Sequence, residues 1–300
     1  MDEKEFRARQ AQRRQRKQQM LRRRMTFFLI ILLLVAIGSI TLAIWQNAKS
    51  KVPAEKTPPV QSESPQATPT TDPIFLEMEL FPQEAEKPAD ILAGLKQKDG
   101  KKVAYLTFDD GPTLTVTPKI LDILRRYQVK ATFFQVGSLM EQNPDMARRV
   151  HDEGHLLANH SYAHNYSKLY ATADGFMTEI EKTYALIQKI TGEADYPHIF
   201  RFPGGGYDAG SWGANKQTYK EILAEKGIRY CDWNALNGDA EGGTRSAEQL
   251  LERVKKTAVK EDVVILMHDA AAKKTTAESL EAVIQHLIAQ GYQFERLDRA

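Results

Sequence analysis

Five short stretches of this 300-residue chain hold the residue types that do chemistry. Residues 107–112 read TFDDGP, with Asp109 and Asp110 side by side. Residues 159–164 read NHSYAH, which sets His160 and His164 four apart. Residues 201–206 read RFPGGG and open on Arg201. Residues 232–239 open on Asp232 and close on Asp239, and residues 266–269 read LMHD around His268. Each has an ordinary structural explanation when taken alone. Asp-Asp-Gly makes turns, a histidine pair at this spacing can share a face without a ligand, and Arg201 or His268 could be a paired residue at the core edge. Together they supply two imidazoles and a carboxylate for a divalent cation, a second carboxylate, a guanidinium and a further imidazole. That is the equipment of metal-assisted hydrolysis: a cation to polarise a carbonyl, a base for water and an acid for the leaving group.

The elements that must position these residues alternate between strand and helix. Strand-like runs lie at 103–108, 131–136, 155–159, 199–202, 228–233, 263–267 and 292–297. Helical segments follow Thr117-Pro118, with Thr as N-cap and Pro in the first turn, and occupy 144–153, 174–190 and 217–226, each closed by a glycine. Two more open on the capping pairs Ser246 with Gln249 and Thr275 with Glu278. Seven strands with six intervening helical segments predict an α/β fold with a parallel sheet and right-handed crossovers. The expected architecture is a (β/α) barrel, short and incomplete, with an open doubly wound sheet as the alternative. The polar stretches then share the face formed by the C-terminal strand ends, where such barrels carry their chemistry. Neither a G-x-G-x-x-G nor a Walker A motif is present, which weighs against a nucleotide site.

The chain ahead of this pattern differs in kind. Residues 25–45 form a 21-residue run without a charge, long enough for about 30 Å of helix, and they predict one uncleaved transmembrane helix. Residues 1–24 form a basic stub with ten Lys/Arg against three acids, whereas only Lys49, Lys51 and Lys56 follow the span closely. The positive-inside rule places that stub in the cytoplasm and the rest of the chain outside the cell. Residues 46–73 hold six of the thirteen prolines and predict a disordered linker, followed by a juxtadomain segment at 74–100 and the main domain at 101–300. The formal net charge of +2 comes from the stub; the remainder carries 31 basic and 36 acidic residues, which argues against a nucleic-acid partner. The single cysteine, Cys231, allows no intramolecular disulfide and reads as a small buried side chain within a strand.

In this order and at these separations, TFDDGP, H-S-x-x-H, R-x-P-G-G and L-M-H resemble the polysaccharide deacetylases of carbohydrate esterase family 4, the NodB-homology domain. The resemblance spans about 101–299 and implies a distorted (β/α) barrel. It implies that Asp110, His160 and His164 hold a metal, usually zinc, and that Asp109 is the general base, oriented by Arg201. It implies that Gly204 offers a backbone N–H near the developing oxyanion, that His268 is the general acid, and that Leu266 helps line the pocket for the acetyl methyl. Arg201 is expected to keep Asp109 ionised. One motif departs from the family, which usually has an Asp followed by a Trp before the final motif. Aligning Trp233 with the strand-end aromatic puts Asp239 at the position that tunes His268 and Ala240 where the Trp should stand, with Asp232 as the alternative tuner.

The resulting expectation is a membrane-anchored, zinc-dependent amidohydrolase that deacetylates N-acetylglucosamine in a cell-wall polysaccharide, peptidoglycan before others. Its partners would be that polymer and the membrane. Alternatives are action on N-acetylmuramic acid, chitin oligomers or acetylxylan, or a non-catalytic wall-binding domain on the same fold. The last would lack a ligand or the base, and none is missing. The charge asymmetry predicts that protease added to intact, wall-stripped cells removes the domain; protection until lysis would overturn this topology.

Overall fold

The longest strand, β1 (Lys102–Gly111), is buried at all but two of its ten positions and organises the sheet. The computed structural model describes residues 89–95, 100–206 and 216–300. The remaining strands are β2 (Thr132–Gln135), β3 (Leu156–Asn159), β4 (Ile199–Phe200), β5 (Arg229–Tyr230), β6 (Ala235–Leu236), β7 (Asp262–His268) and β8 (Tyr292–Phe294). They pair in the order β5-β4-β3-β2-β1-β7-β6, all parallel. β7 covers one flank of β1 along Val103–Asp109. The other flank is shared: β8 takes Lys102–Ala104, and β2 takes Thr107–Gly111.

The two edge strands, β5 and β6, are consecutive in the chain and joined only by residues 231–234. So short a link spans at most about 17 Å, so the sheet must curl until its edges nearly meet. The result is an open, barrel-like α/β sheet with helices packed outside it, held by a core that runs through every layer. Residues 231–234 form the seam. Asn234 fastens it to β7, donating from its amide to Asp262 O (3.0 Å) and accepting from Val264 N (2.8 Å).

The helices are α1 (Ile91–Gly94), α2 (Thr117–Tyr127), α3 (Gly137–Gln142), α4 (Pro144–Asp152), α5 (Tyr166–Leu169), α6 (Ala173–Thr191), α7 (Gln217–Glu225), α8 (Ala247–Thr257) and α9 (Lys274–Ala289). The capping box of Ser246 and Gln249 opens α8, as its sequence implies. Two other capping expectations are corrected. Thr117 lies inside α2 after Val116, because its hydroxyl is committed to Asp269 at 2.6 Å. Thr275 lies inside α9, which starts after Lys273 with no side-chain cap. The strand count also rises from seven to eight: β6 has two residues and exists through its pairing to β7 rather than through its composition. Cys231 is buried as expected, but in the seam just past β5.

The stub at 1–24, the span at 25–45, the linker at 46–73 and most of 74–100 lie outside the described residues. Among the described residues, no helix is long and apolar enough to cross a membrane. The described part of the juxtadomain segment docks on the sheet edge. Asp90 bridges to Tyr230, Tyr230 N donates to Ala89 O (2.7 Å), and Ile91 joins the core. An exposed strand edge is thereby covered.

Arg201, just past β4, has no exposed surface. Its Nε donates to Cys231 O (2.8 Å) and its Nη2 to Asp232 O (3.0 Å), so it grips the seam. Its Nη1 donates to Thr107 Oγ1 (2.7 Å) and Asp109 Oδ1 (2.9 Å) on β1. The guanidinium carbon lies 4.1 Å from the Phe134 ring centroid. Replacing a buried charge by an apolar residue strands its partners, so Arg201→Met should cost about 3–5 kcal/mol. Urea unfolding is expected to show a lower midpoint with an unchanged slope; an unmoved midpoint would refute this bracing role.

Candidate active site

Consecutive residues of a regular strand point to opposite faces, so Asp109 and Asp110 could not both serve one site. The pairing of β1 with β2 slips between Asp109 and Gly111, and Asp110 takes a left-handed φ of 74°. This bulge turns both carboxylates to the same histidine. His160 Nε2 lies 3.5 Å from Asp110 Oδ1 and 3.8 Å from Asp109 Oδ2.

The two histidines sit on a tight loop after β3 with φ values of 65° at Ser161 and 50° at His164. Gly137 N and Ser138 N, at the start of α3, donate to Ser161 O and Tyr162 O. Glu179 of α6 accepts from Tyr162 N (3.0 Å) and Ala163 N (2.7 Å). His160 Nδ1 lies 2.9 Å from Arg201 O. A carbonyl only accepts, so Nδ1 carries the hydrogen and Nε2 presents a lone pair. Burial pushes His160 down to about 3, against the attraction of Asp110, and keeps it neutral.

His164 Nε2 lies 3.2 Å from the same Asp110 oxygen, and the three donor atoms fall within 4.8 Å of one another. Asp110 Oδ1 is buried with no hydrogen-bond partner. Ligands about 2.0–2.1 Å from a tetrahedral zinc lie about 3.3 Å apart. Two imidazole nitrogens and an orphaned carboxylate oxygen at this spacing therefore fit a divalent cation.

Asp109 is almost fully buried, and Arg201 donates to its Oδ1. Burial nevertheless outweighs the guanidinium and raises its pKa above the usual carboxylate range. Arg201 pulls the other way, toward the ionised form, and a neighbouring cation would add to that pull. Asp109 and His268 are register partners on β1 and β7 and so share a face. Asp239 accepts from His268 twice, at Nδ1 (2.7 Å) and at the backbone N (2.9 Å), and also from Thr276 Oγ1 (2.7 Å). Burial opposes the charge on His268, but the bond and charge of Asp239, with Asp109 and Asp110 beyond, push it up to about 9. Asp239 is itself held below its usual range: burial raises it, and the bonds from His268 and Thr276 outweigh that.

It is Asp239, not Asp232, that meets His268. Asp232 lies past β5 in the seam rather than within the strand, and it accepts from Gly206 N at 2.8 Å. Gly204 has a φ of 78°, and a Cβ there would lie 2.8 Å from Tyr166, whose ring packs against His164 at 5.3 Å. Leu266 is partly exposed and precedes His268 by two residues, on the same face of β7. Ala240 is exposed and supplies no aromatic side chain at that position. Sequence reasoning missed Thr107, Phe134, Thr276 and Lys273, whose Nζ donates to Asp239 O at 2.6 Å. Only Thr107 left a signal, two residues before Asp109 and hence on its side of the strand.

A curled parallel sheet with this constellation at its C-terminal strand ends has the parts of a metal-assisted hydrolase. The sequence profile described as Polysaccharide deacetylase matches residues 96–222. A Bacillus cereus peptidoglycan-N-acetylglucosamine deacetylase is 34% identical over 204 residues, covering 65% of this chain and 69% of that relative. The peptidoglycan-N-acetylglucosamine deacetylase PgdA of Listeria monocytogenes is 36% identical over 203 residues; the match covers 68% of this chain and 39% of the relative's length. The catalytic domain of a peptidoglycan N-acetylglucosamine deacetylase from Eubacterium rectale superposes with a TM-score of 0.60 at 33% identity, over 66% of this chain and 90% of that domain. The chain belongs to the polysaccharide deacetylase family.

A histidine with a raised pKa stays protonated through neutrality and loses its proton only as pH climbs past the usual range. Activity that needs this proton should hold into mildly alkaline pH. Asp239→Asn removes the carboxylate, so the alkaline limb of the pH–rate profile should move down while bound metal is unchanged. Asp232→Asn should leave the limb in place; the reverse pattern would transfer the tuning role to Asp232.

Proposed function

We propose that the protein is a metal-dependent deacetylase that hydrolyses the N-acetyl group of N-acetylglucosamine residues in peptidoglycan and releases acetate. The observation that carries this reading is the orphaned Asp110 oxygen facing two imidazoles, with Asp109 next to it and His268 the register partner of Asp109 on β7. The names of the relatives support peptidoglycan as the polymer. The charge-free span at 25–45 supports a membrane anchor with the domain on the wall side.

Asp110 Oδ1, His160 Nε2 and His164 Nε2 would hold the cation, proposed here as zinc; when bound it polarises the acetyl carbonyl and acidifies water. Asp109 takes the water's proton at Oδ2, the oxygen not engaged by Arg201. Arg201 fixes that carboxylate by its other oxygen, so the base cannot rotate away from its partner. His268, held protonated by Asp239, gives its proton to the amine nitrogen as the C–N bond breaks. The Gly204 N–H faces the developing oxyanion, and Leu266 lies beside the acetyl methyl.

Acetate release on a panel of peptidoglycan, chitin oligomers and acetylxylan tests the substrate, and N-acetylmuramic acid units test the sugar. Peptidoglycan N-acetylglucosamine should be preferred; no release from any polymer would leave a binding domain. Asp110→Asn, His160→Ala and His164→Ala should each lower bound metal and abolish turnover. Asp109→Asn should keep the metal yet lose about 10²–10⁴-fold in rate. Loss of metal in that variant would make Asp109 a ligand instead.

A further inference from the structure

Asp269 follows His268, is fully buried, and has no part in the chemistry above. Its contacts converge on the turn that leaves β1. Its backbone N–H donates to Asp109 O at 3.0 Å, and its carbonyl accepts from Thr113 Oγ1 at 2.8 Å. Its Oδ2 accepts from Thr117 Oγ1 at 2.6 Å, and that hydroxyl in turn accepts from Thr113 N at 2.8 Å. Its carboxylate also fills the space beside Gly111: a Cβ at that position would lie 2.1 Å from Oδ2.

Between these anchor points sits Asp110, with its left-handed φ of 74°. A non-glycine residue holds such a conformation only where its surroundings over-determine it. On the β2 side, Val136 N donates to Gly111 O (2.9 Å). On the β7 side, where the ladder ends at Asp109 and His268, Asp269 adds the bonds to Asp109, Thr113 and Thr117.

We propose that Asp269 is a positioning residue that clamps the turn from Asp109 to Thr117 and so holds the Asp110 carboxylate toward His160 and His164. The clamp acts through shape and hydrogen bonds. Its charge is not required, because an asparagine would fill the same space and still accept from Thr117. The inference rests on the reading of Asp110 as a metal ligand, and it is separate from the identity of the substrate.

The test is a cobalt(II) titration of the purified full-length chain without substrate, read by equilibrium dialysis and by the visible absorption of the bound ion. Asp269→Ala should weaken cobalt binding by about tenfold or more and change the absorption bands, because the ligand geometry relaxes. Asp269→Asn should stay within about threefold of wild type, and Thr117→Val should fall between the two. Wild-type affinity and spectrum in Asp269→Ala would overturn the clamp. So would an Asp269→Asn variant as weak as Asp269→Ala, since charge would then be the active property. If Asp269→Ala does not fold, unchanged affinity in Thr117→Val overturns the proposal on its own. A wild-type chain that fails to bind cobalt would overturn the metal site itself, and one that binds cobalt but releases no acetate would overturn only the deacetylase reading.

Discussion

A guanidinium sealed from solvent must have its N–H groups met by acceptors, and in this domain the acceptors of Arg201 are the structure. They are a hydroxyl and a carboxylate on the central strand and two carbonyls in the seam. The hydroxyl, on Thr107, passes the connection on by donating to Ile265 O of β7 at 2.8 Å. One side chain therefore joins β4, β1, β7 and the residues that bring the sheet's two edges together. Its own carbonyl fixes the tautomer of His160. The orientation of Asp109, the donor atom of a proposed ligand and the closure of the sheet all depend on where this one charge is held.

The second constraint is local to β1. Regular strand geometry would send Asp109 and Asp110 to opposite faces; the bulge and the left-handed Asp110 break that rule at one residue. On the β7 flank regular register holds, since Asp109 and His268 lie side by side across a standard parallel pair. The proposed base and acid are thus set by ordinary sheet geometry, and the proposed ligand by a departure from it. The strain sits where the chemistry is expected, as it does at many functional sites.

Much of this was legible before any coordinates. The strand runs, the glycine stops and the polar stretches at the strand ends followed from patterns a few residues long. What was not legible depended on partners distant in the chain. Thr117 and Thr275 carry capping signatures, yet Thr117 is drawn into α2 by a bond to Asp269, 152 positions away. Two-residue β6 has no periodicity to detect and is a strand only because β7 lies beside it. The burial that raises the Asp109 pKa comes from packing around the strand, which a pairwise reading of charges cannot supply. Thr276 reaches Asp239 from a helix whose sequence gives no hint of that contact.

The docking of Ala89 and Asp90 on Tyr230 has a mechanical meaning. Among the described residues, this short segment is held to the sheet by the edge-strand hydrogen bond and by the buried Ile91. The next residue after Tyr230 is Cys231, whose carbonyl holds Arg201. A displacement of Ala89 and Asp90 would therefore reach the seam within one residue of a carbonyl that grips Arg201.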